Sequence, residues 1–283
     1  MLDSGVKDPG EARPLRCLRL TLAYDGGDYV GWQEQKSHAS ITSVVSQAIA
    51  TMLGHEAKLV GAGRTDAGVH AVGQVAHFET TRPYPPETIL RGLNGLLPAA
   101  VRVLATAEVD ASFHARHSAR LKEYRYHFWD AAVVPPFFTR YAWHSWTRLD
   151  AAVMDRAAAA LVGTRDLTSL RAAGCVAPTP VRTVVDARVA RHGAMVVLRL
   201  VAPSFLRHMV RITAGTLRQV GLGRMSPAGF AAVLAARDRA AAAITAPPHG
   251  LFLVRVVYEG EPGIPLESPP EPVLTFSLTT PYA

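Results

Sequence analysis

A carboxylate and a cation two residues apart in a glycine-rich connection are the strongest chemical feature of this 283-residue sequence. The segment Gly61-Ala-Gly-Arg-Thr-Asp-Ala-Gly-Val-His-Ala-Val-Gly73 sets Arg64, Asp66 and His70 among four glycines. Glycine permits φ > 0 and lets a ligand come close to the backbone. No Gly-Lys-Ser/Thr follows, so this is not a Walker loop. Asp66 stands where the third glycine of a dinucleotide fingerprint would fall. On its residues alone the loop is either a tight connection with a solvated acid, or a place where Arg64 and Asp66 meet a polar substrate. A lone carboxylate suits attack or charge stabilisation at an anomeric carbon. Glycoside hydrolases need a second carboxylate as proton donor, and Asp25 and Asp28 lie in an early loop that nothing in the sequence brings to Asp66.

Other candidates are scattered. A helix expected from Phe205 to Val220 carries Arg207, Arg211 and Arg218 at i, i+4 and i+11. The stripe reads as a solvated basic face or as a phosphate-facing one, with one arginine reaching inward to keep a catalytic acid ionised. Tyr124 and Tyr126 alternate with Glu123 and Arg125, which makes them core tyrosines or a base-stacking platform. His114 and His117 have an HxxH spacing without a third ligand nearby, so no metal is expected. His70 and His77 read as packing or hydrogen-bonding residues. Cys17 and Cys175 form neither a metal motif nor a disulfide framework, which points to a reducing cytosol.

The elements that must position these groups follow from periodicity. Leu18, Leu20, Leu22 and Tyr24 alternate as a strand, and Ile41, Val44, Ala48 and Met52 have helical spacing. Lys58–Gly63, Gln74–Thr80 and Val101–Val109 read as strands and Pro86–Leu97 as a helix, giving β-α-β-β-α-β. The second half repeats the order. A strand around Tyr124–Phe128 leads to a helix over Leu149–Val162, strands Val181–Ala190 and Met195–Val201, the helix from Phe205, a helix over Ser226–Ala236 and a strand Phe252–Tyr258. The expected fold is α+β: two ferredoxin-like halves, residues 16–112 and 113–260, forming a continuous, mainly antiparallel sheet with helices on one side and a cleft at the junction. Residues 1–15 read as a flexible arm and 261–283 as an irregular, proline-rich tail. Hydrophobic residues make up 49% of the chain and charged residues 19%, which supports a folded core. The net charge is +7, and residues 146–283 hold fifteen arginines, no lysine and nine acids, favouring a polyanionic partner. No stretch is apolar enough to span a bilayer and no signal pattern opens the chain.

Gly63-Arg-Thr-Asp-Ala-Gly-Val-His70 resembles the catalytic string of the bacterial tRNA pseudouridine synthase A family. The resemblance runs on in order through Tyr24-Asp-Gly-Gly27, Gly73-Gln-Val-Ala-His-Phe78, Leu93-Asn-Gly-Leu-Leu-Pro98, Tyr124-Arg-Tyr126, Val181-Arg-Thr183, His208-Met-Val-Arg211 and Ala246-Pro-Pro-His-Gly-Leu251. It implies Asp66 as the essential catalytic carboxylate. It also implies Tyr124 as a contact to the target uracil that removes the C5 proton late, Arg211 as the partner of Asp66, and Arg64 as an aid in displacing the target base. It implies isomerisation of uridine to pseudouridine at positions 38 to 40 of the tRNA anticodon stem-loop, by a homodimer without cofactor or metal. With RNA as the polyanion, the phosphate-facing reading of the basic stripe puts Arg207 and Arg218 along the RNA backbone at the cleft, and the cysteine usage puts the protein in the cytoplasm. A uracil leaving group spreads its charge onto ring oxygens, so a second carboxylate is not obligatory. Asp66 attacks C1′, adds to C6 or takes the 2′ proton; the sequence leaves these open. A cation beside Tyr124, Arg64 or Arg211, is expected to favour its phenolate. Two departures stand out: Ser43-Val-Val45 replaces Thr/Ser-Val-Gln, which bears on a polar contact near the RNA entrance, and Leu167-Thr-Ser-Leu170 replaces a run with Phe at both ends, which changes packing.

Overall fold

Leu18, Leu20 and Leu22 alternate with half-buried neighbours and are themselves fully buried, so the first strand, β1 (Arg16–Tyr24), presents one apolar face to a core. The computed structural model describes residues 14–35 and 38–275; most of the expected arm and the last eight residues of the tail lie outside the described residues. After β1 come α1 (Ile41–Leu53), β2 (Val60–Gly61), β3 (His70–Thr80), α2 (Pro86–Leu96), β4 (Val101–Val109), β5 (Leu121–Trp129), β6 (Trp143–His144) and α3 (Ala151–Ala158). Then follow β7 (Gly163–Asp166), β8 (Val181–Val184), β9 (Asp186–His192), β10 (Met195–Ala202), α4 (Met209–Gly221), α5 (Pro227–Ala236) and β11 (Leu251–Val257).

The main sheet runs β4-β1-β3-β11-β5-β10-β9, with β2 on β3 and β6 on β5. It is antiparallel except at the β3–β11 and β5–β6 pairs. Besides β1, β3 is long enough to serve two further partners: its His70–Ala71 end pairs with β11 and its Ala76–His77 end with β2. Gly73 lies at this seam because a Cβ there would stand 2.2 Å from the Val254 carbonyl oxygen. The face carrying Leu18, Leu20, Leu22, Tyr126, Phe128 and Leu198 joins the buried residues of all five described α-helices in one core. Register fixes this, because a one-residue slip would turn every side chain to the other face.

Helix ends follow local chemistry. Ser40 caps α1 in a reciprocal box with Ser43, and Gly54 closes it at φ 73°. Ser226 caps α5 with Pro227 at its first position, as the sequence reading expects. Several boundaries differ. The strand read as Val181–Ala190 is two: β8 pairs with β7 in a separate small sheet, and β9 joins the main one. The helix read from Leu149 is α3 followed by a single 3₁₀ turn. The helix read from Phe205 starts at Met209, because His208 adopts φ 60° and breaks the helical path. Residues 261–275, the described part of the tail, form no helix or strand and are anchored. Ile264 packs on Val201 and Val257, and the fully buried Arg199 binds Asp186 and donates to the Pro265 and Leu266 carbonyls. Val45 and both Leu167 and Leu170 are fully buried, so both departures fall in the core.

Candidate active site

The loop between β2 and β3 is held from below at several points. Ala62 N–H donates to the Val75 carbonyl, Gln74 Nε2 to the Gly63 carbonyl at 2.8 Å, and Trp32 N–H to the Thr65 carbonyl. The Thr65 hydroxyl meets the Tyr24 hydroxyl at 2.9 Å. Gly68, at φ 76°, turns the chain back so that Val69 N–H reaches the Asp66 carbonyl. Asp66 therefore stands on a rigid turn with its side chain 31% exposed.

Arg211, in the first turn of α4, closes on this carboxylate from the far half of the chain. Its Nη1 donates to Asp66 Oδ2 at 3.0 Å and its Nε to the Ala246 carbonyl at 2.8 Å. The Ala246 N–H returns a bond to the Arg211 carbonyl, which fixes the guanidinium plane. Among the described residues Asp66 Oδ1 has no partner, so one oxygen is held and the other is free in a side chain that solvent partly reaches. His208, singled out only as part of a motif string, lies with Nε2 3.5 Å from Asp66 Oδ2. Burial lowers its pKa and Arg211, Arg207 and Arg239 push the same way, against the attraction of Asp66; at neutral pH the ring is uncharged. Its left-handed backbone costs about 1–2 kcal/mol in a non-glycine residue, a local strain at the site of the kind functional geometry tolerates.

Tyr124 reaches the same place from β5. It is buried, its ring meets Phe205 edge-on at 5.0 Å, and its hydroxyl has no hydrogen-bond partner among the described residues. Burial raises its pKa, and Tyr24 and Asp66 raise it further. The expected cation that would favour the phenolate is not there: Tyr124 is a neutral phenol. Tyr126 has a different fate, fully buried with its hydroxyl donated to the Pro247 carbonyl. Sequence alternation could not tell the two apart.

Arg64 is exposed and, among the described residues, unpaired. The basic stripe is corrected by the geometry. Arg207 precedes α4, exposed, with Nη1 3.3 Å from the Ala173 carbonyl. Arg218 is half-buried, its guanidinium 4.7 Å over the Trp143 ring and its Nε buried without a partner. The helix face that carries Arg211 and Arg218 turns toward Tyr126 and the sheet rather than to solvent. Lys122, two residues before Tyr124 on the same face of β5, is buried beside the site and was missed; its alternation with the tyrosines was the available signal. His70 is a packing residue, as read: it accepts from Gly26 N–H, approaches the Arg140 carbonyl and stacks on Phe252. Asp25 and Asp28 are engaged by Tyr141 and Arg140. His114 Nδ1 accepts from the backbone of Arg116 and His117.

Comparison with known proteins shows which family the chain is similar to. The sequence model of a family described as tRNA pseudouridine synthase matches residues 21–118 and 157–259. Over 244 residues the chain is 41% identical to tRNA pseudouridine synthase A of Geotalea uraniireducens, covering 86% of this chain and all of that protein. It is 44% identical to the protein of that name from Syntrophotalea carbinolica, covering 86% and 97%. With that of Rhodospirillum rubrum it shares 42% over 251 residues, covering 88% and 90%.

Proposed function

The chain belongs to the tRNA pseudouridine synthase family, isomerases that act on tRNA uridine, and from that premise we propose that its target lies at positions 38 to 40 of the anticodon stem-loop, with Asp66 as the essential carboxylate. The observation that carries this reading is the divided carboxylate: Oδ2 tied to Arg211 and Oδ1 open, beside the neutral phenol of Tyr124. The N1–C1′ bond of uridine breaks, the uracil turns while held, and C5 bonds to C1′. The C5 proton leaves and N1 takes one up, so the reaction balances with no co-reactant. The target must first leave its stack, at a few kcal/mol, and the exposed Arg64 is the residue we assign to filling the gap. Whether Asp66 acts at C1′, at C6 or on the 2′ hydrogen, its open oxygen has to face the sugar–base junction. Tyr124 supports the uracil with its ring. As a neutral phenol it accepts the C5 proton only while handing its own to a neighbour, and Asp66 is the carboxylate on that side.

The orders β4-β1-β3-β2 and β11-β5-β10-β9 support reading residues 16–112 and 113–260 as two ferredoxin-like halves, with the RNA in the cleft between them. Arg207 is the exposed cation next to the site that suits a backbone phosphate. Assembly as a homodimer, with one tRNA touching both copies, and work in a reducing cytosol with both cysteines free complete the reading. Among the described residues no helix is long and apolar enough to cross a membrane. The test is tritium release from C5-labelled uridine in tRNA, with wild type and Asp66→Asn. Release by the wild type, its loss in the variant and retained tRNA binding are expected. Near-wild-type release by the variant would remove Asp66 from the chemistry.

A further inference from the structure

Lys122 is a buried cation for which the reaction as described has no use. It is 8% exposed, and among the described residues its ammonium has neither a hydrogen bond nor an ion pair. Its neighbours in register are Ala202 on β10 and Val256 on β11, neither of which ionises. Glu123, adjacent in sequence, points to the opposite face and holds Arg125 at 2.6 Å. The contrast with Arg199 is direct: that buried cation has Asp186 and two carbonyls. The nitrogen itself still touches solvent, so Lys122 is an unpaired cation that an anion can reach, at a lower cost than a fully buried charge.

Its position says what arrives. A Cβ on Gly63 would stand 3.8 Å from the Tyr124 hydroxyl and 3.9 Å from both Cδ and Cε of Lys122, with nothing nearer. The lysine stem therefore runs beside the catalytic loop, along a floor that Gly63 leaves open, next to the phenol expected to hold the uracil. Burial first of all, and then the charge of the exposed Arg116, lower the ammonium's pKa to about 8. An unpaired ammonium beside the site matches a diester anion better than a neutral uracil oxygen. We propose that Lys122 receives a phosphodiester of the substrate RNA adjacent to the extruded uridine and thereby sets the register of the strand over Asp66. This rests on the tRNA reading of the site.

The experiment measures tRNA affinity across a salt series and from pH 7 to 9.5 for wild type, Lys122→Met and Lys122→Arg, with thermal melts as folding controls. Lys122→Met should weaken binding roughly tenfold at low salt and flatten the slope of log K against log salt by about 0.7–0.9; Lys122→Arg should restore both. Wild-type affinity should fall up to about tenfold as the ammonium is lost through the range around 8. The Tyr124 phenol, the ionisable group beside its stem, stays neutral over this range. Lys122→Arg should then hold its affinity over the same range. A tRNA with one uncharged methylphosphonate next to the isomerised uridine should lose affinity for the wild type and none for Lys122→Met. Unchanged affinity and slope in Lys122→Met overturn the proposal. So does a pH-dependent fall that persists in Lys122→Arg, or a chemical step that collapses in Lys122→Met while tRNA affinity holds. Tritium release by the wild type is read separately: its absence would sink the proposed reaction, whereas its presence with unchanged Lys122→Met binding would sink the lysine's role alone.

Discussion

Arg211→Lys keeps a cation in the first turn of α4 and removes the fork. The arginine spans two acceptors, Ala246 carbonyl at 2.8 Å and Asp66 Oδ2 at 3.0 Å. A lysine has one nitrogen on a flexible stem and cannot hold both in the guanidinium plane. If it settles on the Ala246 carbonyl, the bond to Asp66 is lost; a hydrogen bond to a charged group is worth about 1.5–3 kcal/mol. The Arg211 side chain is 13% exposed, so little water can replace it from that side, whereas Asp66 at 31% can be partly rehydrated. The lower end of the range is therefore expected for stability and the upper end for catalysis, where the direction of Oδ1 matters. The upper end, about 3 kcal/mol, converts to a loss of roughly 150-fold in kcat/KM, and the lower end, about 1.5 kcal/mol, moves the melting temperature by only about 3–6 °C. Tritium release under single-turnover conditions gives the chemical step, and tRNA affinity measured alongside separates binding from it. A lysine variant within threefold of wild type in the chemical step would refute the argument that the fork is what aims Asp66.

Tyr124→Phe keeps the ring against Phe205 and removes a hydroxyl that has no protein partner, so stability should hold while loss of the C5 proton slows; single-turnover kinetics on C5-deuterated uridine in tRNA that match wild type and show no isotope effect would reduce Tyr124 to a support for the base. His127 is fully buried, accepts from Val273 N–H at Nε2 and has its pKa lowered to about 3 by burial first of all. Its folded pKa lies below the unfolded value, so the unfolded state binds the proton more readily and stability falls as pH drops below about 6.5. By pH 5 this amounts to about 2 kcal/mol from this one group; denaturant unfolding at pH 7 and 5 should show that share of the pH dependence missing in His127→Gln, and an identical pH dependence in both proteins would refute it. Gly73→Ala puts a methyl carbon 2.2 Å from the Val254 carbonyl oxygen, where only backbone can yield. It should destabilise by about 3 kcal/mol, read as a lowered denaturation midpoint, and an unchanged midpoint would mean that the β3–β11 seam is not held as described.

The sequence by itself determined what is local. Leu18, Leu20 and Leu22 announce β1 because burial on a strand has period two, and Ser226-Pro227 announces the start of α5 because the cap and the ring both act within one turn. Asp66 was legible for the same reason: the turn that presents it, with Gly68 at its return, is built from residues contiguous in the chain. Tertiary structure decided every choice between chemically equal candidates. Three arginines near α4 look alike in sequence. Arg211 meets Asp66 across 145 positions only because β11 docks on β3, while Arg218 lies over Trp143 and Arg207 falls outside the helix that a left-handed His208 delays. Tyr124 and Tyr126 share one face of β5, yet Pro247 is within reach of one and the open site lies before the other. A lysine without a partner cannot be seen in a string of letters at all, because being unpaired is a property of everything packed around it.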